Sequence, residues 1–252
     1  MLGRYVPGLN FLSVLIGDEP VLPPEACYYQ RLLALDEDEA QEIVKKYLHE
    51  NTLEDLYGSV LVPALSLAER DRHQNALDEE RESFIYESTK NLIEELSEDD
   101  FSPTKAQSFP ASELSILCVP ARDASDELVG FMLAHLLRQG GYKAEAISLG
   151  TVEDMLAAME SRRPDLLFVS ALPPFAVTQA RTLCRRARKV LPTAHVMMGF
   201  WDPQADLMKL QQRLGAGCFD SIVTSLTQAQ LQVRLQTGSA ERQEEEMAVT
   251  RA

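Results

Sequence analysis

Acidic and hydroxyl side chains cluster in residues 122–127, directly after a short apolar run. The run Leu114–Val119 predicts a strand, and the apolar spacing that follows predicts a helix, so the cluster lies in a strand-to-helix turn. In open α/β sheets, ligands bind outside the carboxyl ends of the strands, where the strand order switches. We therefore expect Asp123, Ser125 and Asp126 to face a ligand crevice.

The sequence lacks the residues that several common kinds of site require. A glycine-rich phosphate cradle is absent, because Gly140 and Gly141 stand at the end of a predicted helix. A phosphoryl-accepting receiver domain needs an aspartate at the end of the third strand, where this sequence has Ser170. No two histidines have metal-ligand spacing, and no Ser-His-Asp or Cys-His arrangement can be recognised. We therefore expect neither a metal site nor enzymatic activity.

Two further segments place candidate binding residues at strand ends. Ser170-Ala171-Leu172 ends the third predicted strand, and Gly199-Phe200-Trp201 ends the fourth. Trp201, the only tryptophan, is expected either to line the crevice or to pack against a neighbouring helix. A basic cluster could contact an anionic ligand or the acidic front half, although a solvated helix face is the simpler interpretation; it comprises Arg181, Arg185, Arg186, Arg188 and Lys189.

Residues 113–236 alternate between strand and helix patterns, which predicts a parallel doubly wound α/β sheet. The flavodoxin-like order 2-1-3-4-5 is the commonest arrangement of five such units. The predicted strands are Leu114–Val119, Ala144–Leu149, Leu166–Val169, His195–Met198 and Cys218–Val223. The predicted helices are Asp126–Gln139, Val152–Ser161, Phe175–Val190, Pro203–Leu214 and Leu226–Leu235.

Residues 25–97 have helical periodicity and predict an antiparallel bundle of four or five helices. Asp36 is expected to cap one helix, with Glu39 completing a capping box, and Thr52 precedes another. Pro63 should interrupt or kink the helix in which it falls. Residues 98–112 have no periodicity and are interpreted as a linker, and residues 237–252 as a disordered tail.

Composition limits the compartment and the partners. The net charge of −15 is concentrated at the front, since residues 1–112 carry 23 acidic and 9 basic side chains. Such a surface argues against binding of nucleic acid, which requires a basic stripe. Four cysteines are scattered without CxxC spacing, as expected in a reducing cytoplasm. Residues 1–24 form an apolar arm and linker, either membrane-proximal or packed on the core; no segment is long enough to span a bilayer.

The layout of residues 25–235 resembles cobalamin-binding modules, in which a helical bundle precedes a flavodoxin-like domain. Their D-x-H-x-x-G loop aligns with Asp123 to Leu128, where Ser125 replaces the cobalt-ligating histidine and Leu128 the glycine. Their S-x-L segment, which lines the pocket for the nucleotide tail of the cofactor, matches Ser170 to Leu172. The later G-G appears only as Gly199-Phe200. The resemblance implies the cofactor-binding candidates Asp123, Ser125, Asp126, Ser170, Leu172 and Gly199.

The first hundred residues resemble the cytosolic extension of bacterial permeases of the autoinducer-two exporter family. The resemblance is carried by four segments: residues 2–7, 17–22, 29–33 and 61–73. It implies a cytoplasmic domain tethered to the bacterial inner membrane, whose partner is the membrane part of the same permease. A small-molecule ligand and a second copy of the chain are further partners to consider.

These patterns together favour a non-catalytic sensory or regulatory domain of a membrane permease. Because a serine hydroxyl cannot supply the imidazole nitrogen that cobalt takes as a ligand, we expect no cofactor. The alternative is a corrinoid-binding protein or sensor that holds cobalamin without a protein histidine. A third interpretation is an interaction module whose crevice is filled by Leu128, Phe200 and Trp201.

Overall fold

The computed structural model describes residues 22–98, 112–174, 176–215 and 217–237. The arm before residue 22, most of the predicted linker and the tail beyond residue 237 lie outside the described residues. The N-terminal part is helical, as predicted. Its helices are α1 (Pro24–Leu33), α2 (Glu37–Leu48), α3 (Leu53–Leu56), α4 (Val62–His73) and α5 (Glu79–Glu98), with a π-helical segment, Tyr57–Leu61, joining α3 to α4.

The C-terminal part alternates strands and helices and forms one parallel sheet in the predicted order β2-β1-β3-β4-β5. Its strands are β1 (Ser112–Pro120), β2 (Tyr142–Ala146), β3 (Leu166–Ala171), β4 (His195–Phe200) and β5 (Ser221–Val223). The helices are α6 (Ala124–Gln139), α7 (Val152–Arg162), α8 (Val177–Val190), α9 (Leu207–Leu214) and α10 (226–237).

Asp36 and Thr52 cap helices of the bundle, as predicted. The Asp36 side chain accepts the backbone N–H of Glu39. The Glu39 carboxylate, which was predicted to complete a capping box with Asp36, pairs instead with Arg31 at 2.8 Å. Thr52 makes a full capping box with Asp55, in which each side chain accepts the backbone N–H of the other residue. Such caps satisfy N–H groups that the first helical turn leaves without partners.

Pro63 is accommodated by a π-helical segment. The N–H of Val62 donates to the carbonyl of Tyr57, five residues earlier, and Pro63 lies in the first turn of α4. A proline inside a regular helix would clash with the carbonyl four residues before it, and the wider π turn relieves this clash. The helix therefore continues from Leu53 to His73, whereas the sequence alone predicted either a break or a kink at Pro63.

Several predicted element boundaries are wrong; β5, for example, begins at Ser221 and not at Cys218. Two of the differences have a cause in side-chain contacts. The second strand ends at Ala146 and not at Leu149, because the N–H of Leu149 donates to the Glu127 carboxylate at 2.9 Å and not to a neighbouring strand. Helix α9 begins at Leu207 and not at Pro203, because the Asp206 side chain caps it by accepting the N–H of Lys209. In both cases a side-chain contact ends or starts the element.

The bundle and one face of the sheet share a single hydrophobic core. Leu32, Leu65 and Ile93 of the bundle belong to the same buried cluster as Phe168 of β3 and Trp201. A second core lies under α7, α8 and α9 on the opposite face of the sheet. Among the helices within the described ranges, none combines the length and the apolar character that crossing a membrane requires.

Candidate functional site

The ends of four strands form a row along the carboxyl edge of the sheet. In register, Pro120 of β1 lies beside Ser170 of β3, which lies beside Gly199 of β4, and Gly199 lies beside Val223 of β5. Two of the predicted binding residues, Ser170 and Gly199, are therefore direct neighbours. The loops that follow this row are the positions at which α/β folds bind ligands.

A crevice of about 890 Å³ lies between this edge and the helical bundle. The bundle contributes the start of α1, the π-helical segment and α4, and the sheet contributes the loops after β3, β4 and β5. Its lining residues are Pro23, Glu25, Ala26, Gly58, Val62, Pro63, Ser66, Leu67, Arg70, Pro173, Pro174, Trp201, Asp202, Pro203, Gln204, Thr224, Ser225 and Leu226. The lining residues are mostly apolar, with the charged residues Glu25, Arg70 and Asp202 among them.

Beside the crevice, the first loop of the sheet is bound to Glu69 of α4. The Glu69 side chain is 2% exposed, and its Oε1 accepts the hydroxyls of Ser125 and, at 2.8 Å, Tyr86. Its Oε2 accepts an N–H of Arg72 at 2.6 Å. Burial alone would raise the pKa of Glu69, but the hydrogen bonds from Arg72, Ser125 and Tyr86 outweigh it and lower the pKa below its usual value.

Arg72 extends this contact to the loop itself. Its Nη2 donates to Asp123 Oδ2 at 2.8 Å, and Arg122 lies 3.8 Å from the same oxygen. Burial and the nearby charge of Glu69 nevertheless raise the pKa of Asp123, because the two carboxylates share one principal cation. We call the contact of Glu69 and Arg72 with Asp123 and Ser125 the bundle-loop lock.

Asp126 is fully buried in the first turn of α6. Its Oδ1 accepts the N–H of Leu172 at 2.6 Å, while Oδ2 has no partner among the described atoms. Burial, followed by the charge of Asp123, raises the pKa of Asp126 well above its usual value. Burial thus disfavours the charged form of Asp126, whose hydrogen bond with Leu172 ties the start of α6 to the end of β3.

Trp201 lies against the row of strand ends. Its indole N–H donates to Ser170 Oγ at 2.8 Å, and Ser170 Oγ donates to the carbonyl of Asp126 at 2.6 Å. The ring covers Gly199, where a Cβ atom would lie only 2.1 Å from the ring carbon Cζ2. Of the two interpretations that the sequence left open, the first is confirmed, because Trp201 forms part of the crevice wall. The contacts of its buried ring described above are with the strand residues Gly199 and Ser170.

The structure brings the predicted site residues together, with five of the six buried and Asp123 half-buried. Asp123, Ser125, Asp126, Ser170, Leu172 and Gly199 are close neighbours, and none of the six is among the residues that line the crevice. Their role in binding a cofactor stays a prediction. Glu69, Arg72 and Tyr86 were missed, because helical spacing does not show which polar residues of a bundle face a neighbouring domain.

Within the described residues, the ion pairs of the basic cluster on α8 are with its own domain. Arg186 pairs with Glu153 at 2.9 Å, and Arg188 pairs with Asp220 and donates to the carbonyls of Cys218 and Ala194. These contacts favour the simpler interpretation of a helix face that helps to hold α7, α8 and the edge of β5 together.

The arrangement around position 125 does not fit a corrinoid held as the family motif implies. Ser125 is fully buried, and its hydroxyl is bound to Glu69 and Tyr86. The space above Gly199, which corresponds to the first glycine of the family's G-G segment, contains the indole of Trp201. In the part of the chain that the structure describes, no group of three or more His, Cys, Asp or Glu side chains is placed to hold a metal ion.

Comparisons with solved structures found proteins that are similar to this chain. A monomethylamine corrinoid protein of Methanosarcina barkeri is 17% identical, with a TM-score of 0.57 over 83% of this chain and 95% of that chain. A cobalamin-binding protein of Desulfitobacterium hafniense is 13% identical, with a TM-score of 0.39 over 85% and 98% of the two chains. A methanol:cobalamin methyltransferase complex of M. barkeri is 15% identical, with a TM-score of 0.36 over 89% and 88%.

Sequence comparisons do not assign this chain to a family. No profile of a known protein family matches the chain, and no curated protein is significantly similar to it. At 17% identity, the likeness to the monomethylamine corrinoid protein bears on the fold alone. The chain thus has the α/β fold of cobalamin-binding proteins, with a helical bundle placed before a five-stranded parallel sheet.

Proposed function

We propose that this chain is a non-catalytic regulatory module that binds a small molecule in the bundle-sheet crevice and transmits its presence to the N-terminal arm. The position of the crevice carries the proposal. Its wall includes Pro23, Glu25 and Ala26, at the start of α1. A molecule in the crevice would contact the residues that connect directly to the arm, so its binding would change the environment of that connection.

The polar residues next to the crevice support a role without catalysis. Ser125, Glu69 and Asp126 are buried, and the first two are hydrogen-bonded to one another. A general acid or base must come within hydrogen-bonding distance of a substrate, and a nucleophile must be open to it. Ser125 and Glu69 instead hold the bundle against the sheet domain, and Asp126 ties α6 to the end of β3.

We also propose that the arm joins the module to the membrane part of the same permease, at the cytoplasmic side of the bacterial inner membrane. The resemblance of residues 2–73 to the cytosolic extension of exporter-family permeases supports this. The reading frame upstream of Met1 tests it. Several apolar segments of about 20 residues should be encoded there, since that length spans a bilayer. An upstream frame without them would contradict the tether.

Binding in the crevice can be tested with the fluorescent probe anilinonaphthalene sulfonate. Gly58 is exposed on the crevice wall, and a side chain added to it would meet open space. Gly58→Phe should therefore fill the crevice without disturbing the core, whereas Gly58→Ala is the matched control. We expect one probe site in the wild type and in Gly58→Ala, and at least about tenfold weaker binding in Gly58→Phe. Equal binding to all three proteins would contradict a site in this crevice.

A second candidate function is corrinoid binding without a histidine ligand. The similarity in fold to the monomethylamine corrinoid protein, over 95% of that chain, favours it. In this case the corrinoid would lie in the crevice, with its nucleotide tail outside the space that Trp201 fills.

Mixing the full chain with hydroxocobalamin or with cobinamide, which lacks the tail, separates the two candidates. After gel filtration, colourless protein would support the regulatory module that binds another molecule. Visible absorbance that elutes with the protein would contradict this first proposal. If the protein retained cobinamide as well as cobalamin, a corrinoid with its tail outside the protein would be the better description.

A further inference from the structure

Trp201 fills a deep slot next to the crevice. Its backbone N–H donates to the carbonyl of Ala171 at 3.1 Å, so the residue continues the contact between β3 and β4, and its side chain is 2% exposed. The ring folds back over Gly199, where a Cβ atom would lie 2.1 Å from Cζ2 and 2.3 Å from Cη2. These distances are far below van der Waals contact, so the slot exists only because residue 199 has no side chain.

The polar group that faces the slot, Ser170 Oγ, can accept one N–H donor. Ser170 Oγ uses its own proton in the bond to the carbonyl of Asp126 at 2.6 Å. Its lone pair remains to accept the indole N–H of Trp201 at 2.8 Å. Because a hydroxyl carries a single proton, the bond to Asp126 fixes Ser170 as an acceptor toward the slot.

The slot and the crevice are adjacent spaces. Trp201 forms part of the crevice wall, next to Pro173 and Pro174. The same ring is packed on Gly199 and belongs to the hydrophobic core shared by the bundle and the sheet. Removing the ring would therefore extend the crevice inward to Gly199 and Ser170.

We infer that the slot is a binding site for a planar bicyclic ring with one N–H donor, and that the chain occupies it permanently with its own Trp201. External rings, including the nucleotide tail of a corrinoid, are thereby excluded. This inference does not rest on the proposed regulatory function, because it concerns the space behind Trp201 and not the crevice in front of it.

Trp201→Gly tests the inference with indole as the probe, since a protein can bind a small ring in the cavity that a removed side chain leaves. By isothermal titration calorimetry of the full chain, we expect one indole to bind Trp201→Gly and none to bind the wild type or the matched control Trp201→Phe. Indole bound equally by wild type and Trp201→Gly would place its site elsewhere and overturn the inference. A folded Trp201→Gly protein that binds no indole would also overturn it.

The hydrogen bond to Ser170 can be tested with indene, which has the shape of indole but no N–H. Indene should bind Trp201→Gly about tenfold more weakly than indole, as expected for the loss of one buried hydrogen bond. Adding Ser170→Ala should remove this preference. Equal binding of indole and indene to Trp201→Gly with Ser170 in place would contradict the assignment of Ser170 as the acceptor.

A measurement on the wild type keeps the inference testable if Trp201→Gly does not fold. Trp201 is the only tryptophan, so its indole N–H gives a single side-chain signal of this type in NMR spectra. We expect its hydrogen exchange to be as slow as that of backbone amides in β3 and β4, and faster in Ser170→Ala. Rapid exchange in the wild type would show that the ring leaves the slot readily, and would overturn permanent occupation.

Discussion

Arg72 of the helical bundle and Asp123 of the first sheet loop form an ion pair of 2.8 Å between the two parts of the protein. The same guanidinium binds Glu69 at 2.6 Å, so Arg72 balances a carboxylate of its own helix and one of the opposing loop. Glu69 in turn binds Ser125, two residues after Asp123. The loop that should face a ligand in this fold is thus held by the bundle instead.

Replacing Arg72 with methionine should destabilise the protein substantially. The side chain is 22% exposed, and its loss leaves the buried Glu69 and the partly buried Asp123 without their shared cation. We expect the free energy of unfolding at pH 7, measured with urea, to fall by about 3 kcal/mol, as for other broken buried pairs. Arg186→Met, which removes a solvent-exposed pair, is the matched control and should cost less than about 1 kcal/mol. Equal losses in both variants would contradict a structural role of the bundle-loop lock.

Asp126→Asn should stabilise the protein increasingly as the pH rises. Burial raises the pKa of Asp126 in the native state, whereas the unfolded pKa is about 4. The wild type should therefore lose stability as the pH rises from about 4 to the native pKa. Asparagine still accepts the N–H of Leu172 and does not titrate. Urea denaturation over a pH series that starts at about 4 should show an advantage for the variant that grows until the pH passes the raised native pKa. Asp126→Ala, which lacks the acceptor, should be less stable than Asp126→Asn at each pH.

His135 should make the protein sensitive to mild acid. Burial, followed by the charge of Arg138, lowers its native pKa to about 4, whereas the unfolded pKa is about 6.5. The unfolded chain therefore binds more protons between these values, and stability is lost as the pH falls from about 6.5 toward 4. At pH 5 this loss is roughly 2 kcal/mol, at 1.4 kcal/mol per pH unit.

His135→Gln should reduce the loss of stability between pH 7 and pH 5 by this amount, as measured by urea denaturation at both values. The matched control is His49→Gln, since His49 is exposed at the end of α2. A pH dependence that His135→Gln leaves unchanged would show that other groups determine it.

Alanine substitutions at two buried glycines should have opposite effects. At Gly199 a Cβ atom would collide with Trp201, and the required shift should cost about 3 kcal/mol or more in thermal or urea unfolding. At Gly130, inside α6, the nearest side-chain atoms would lie 3.7 and 3.8 Å away, so alanine should stabilise the helix by about 0.5–1 kcal/mol. In a Trp201→Gly background, Gly199→Ala should cost far less. An equal cost in both backgrounds would mean that the ring is not what excludes a side chain there.

The architecture was predictable because, in both parts of the protein, the buried apolar side chains recur at a regular spacing in the sequence. Strand order, the bundle and the caps at Asp36 and Thr52 follow from apolar spacing and capping chemistry, and all are confirmed. The end of β2 was not predictable, since it depends on the contact between Leu149 and Glu127, residues from different elements. Long-range side-chain contacts of this kind leave no periodic signal in a sequence.

The candidate site was predictable only in part. Motif matches brought Ser170, Gly199 and Asp123 into one region, and the register of the strands confirms that Ser170 and Gly199 are adjacent. The sequence did not show that Trp201 occupies the space above Gly199, because two residues of separation in an extended chain normally place side chains on the same face without contact between them. Nor did it show Glu69 as the partner of Ser125, 56 positions away.

The hydrophobic core that runs without interruption from the bundle into the sheet has a mechanical consequence. Hinge opening of the bundle would expose apolar surface from Leu32, Leu65 and Ile93 to water, at about 25 cal/mol for each square ångström. Thermal unfolding should accordingly proceed as a single cooperative transition and not as two separate ones. A signal that begins in the crevice would then travel through an essentially rigid body to the first turn of α1.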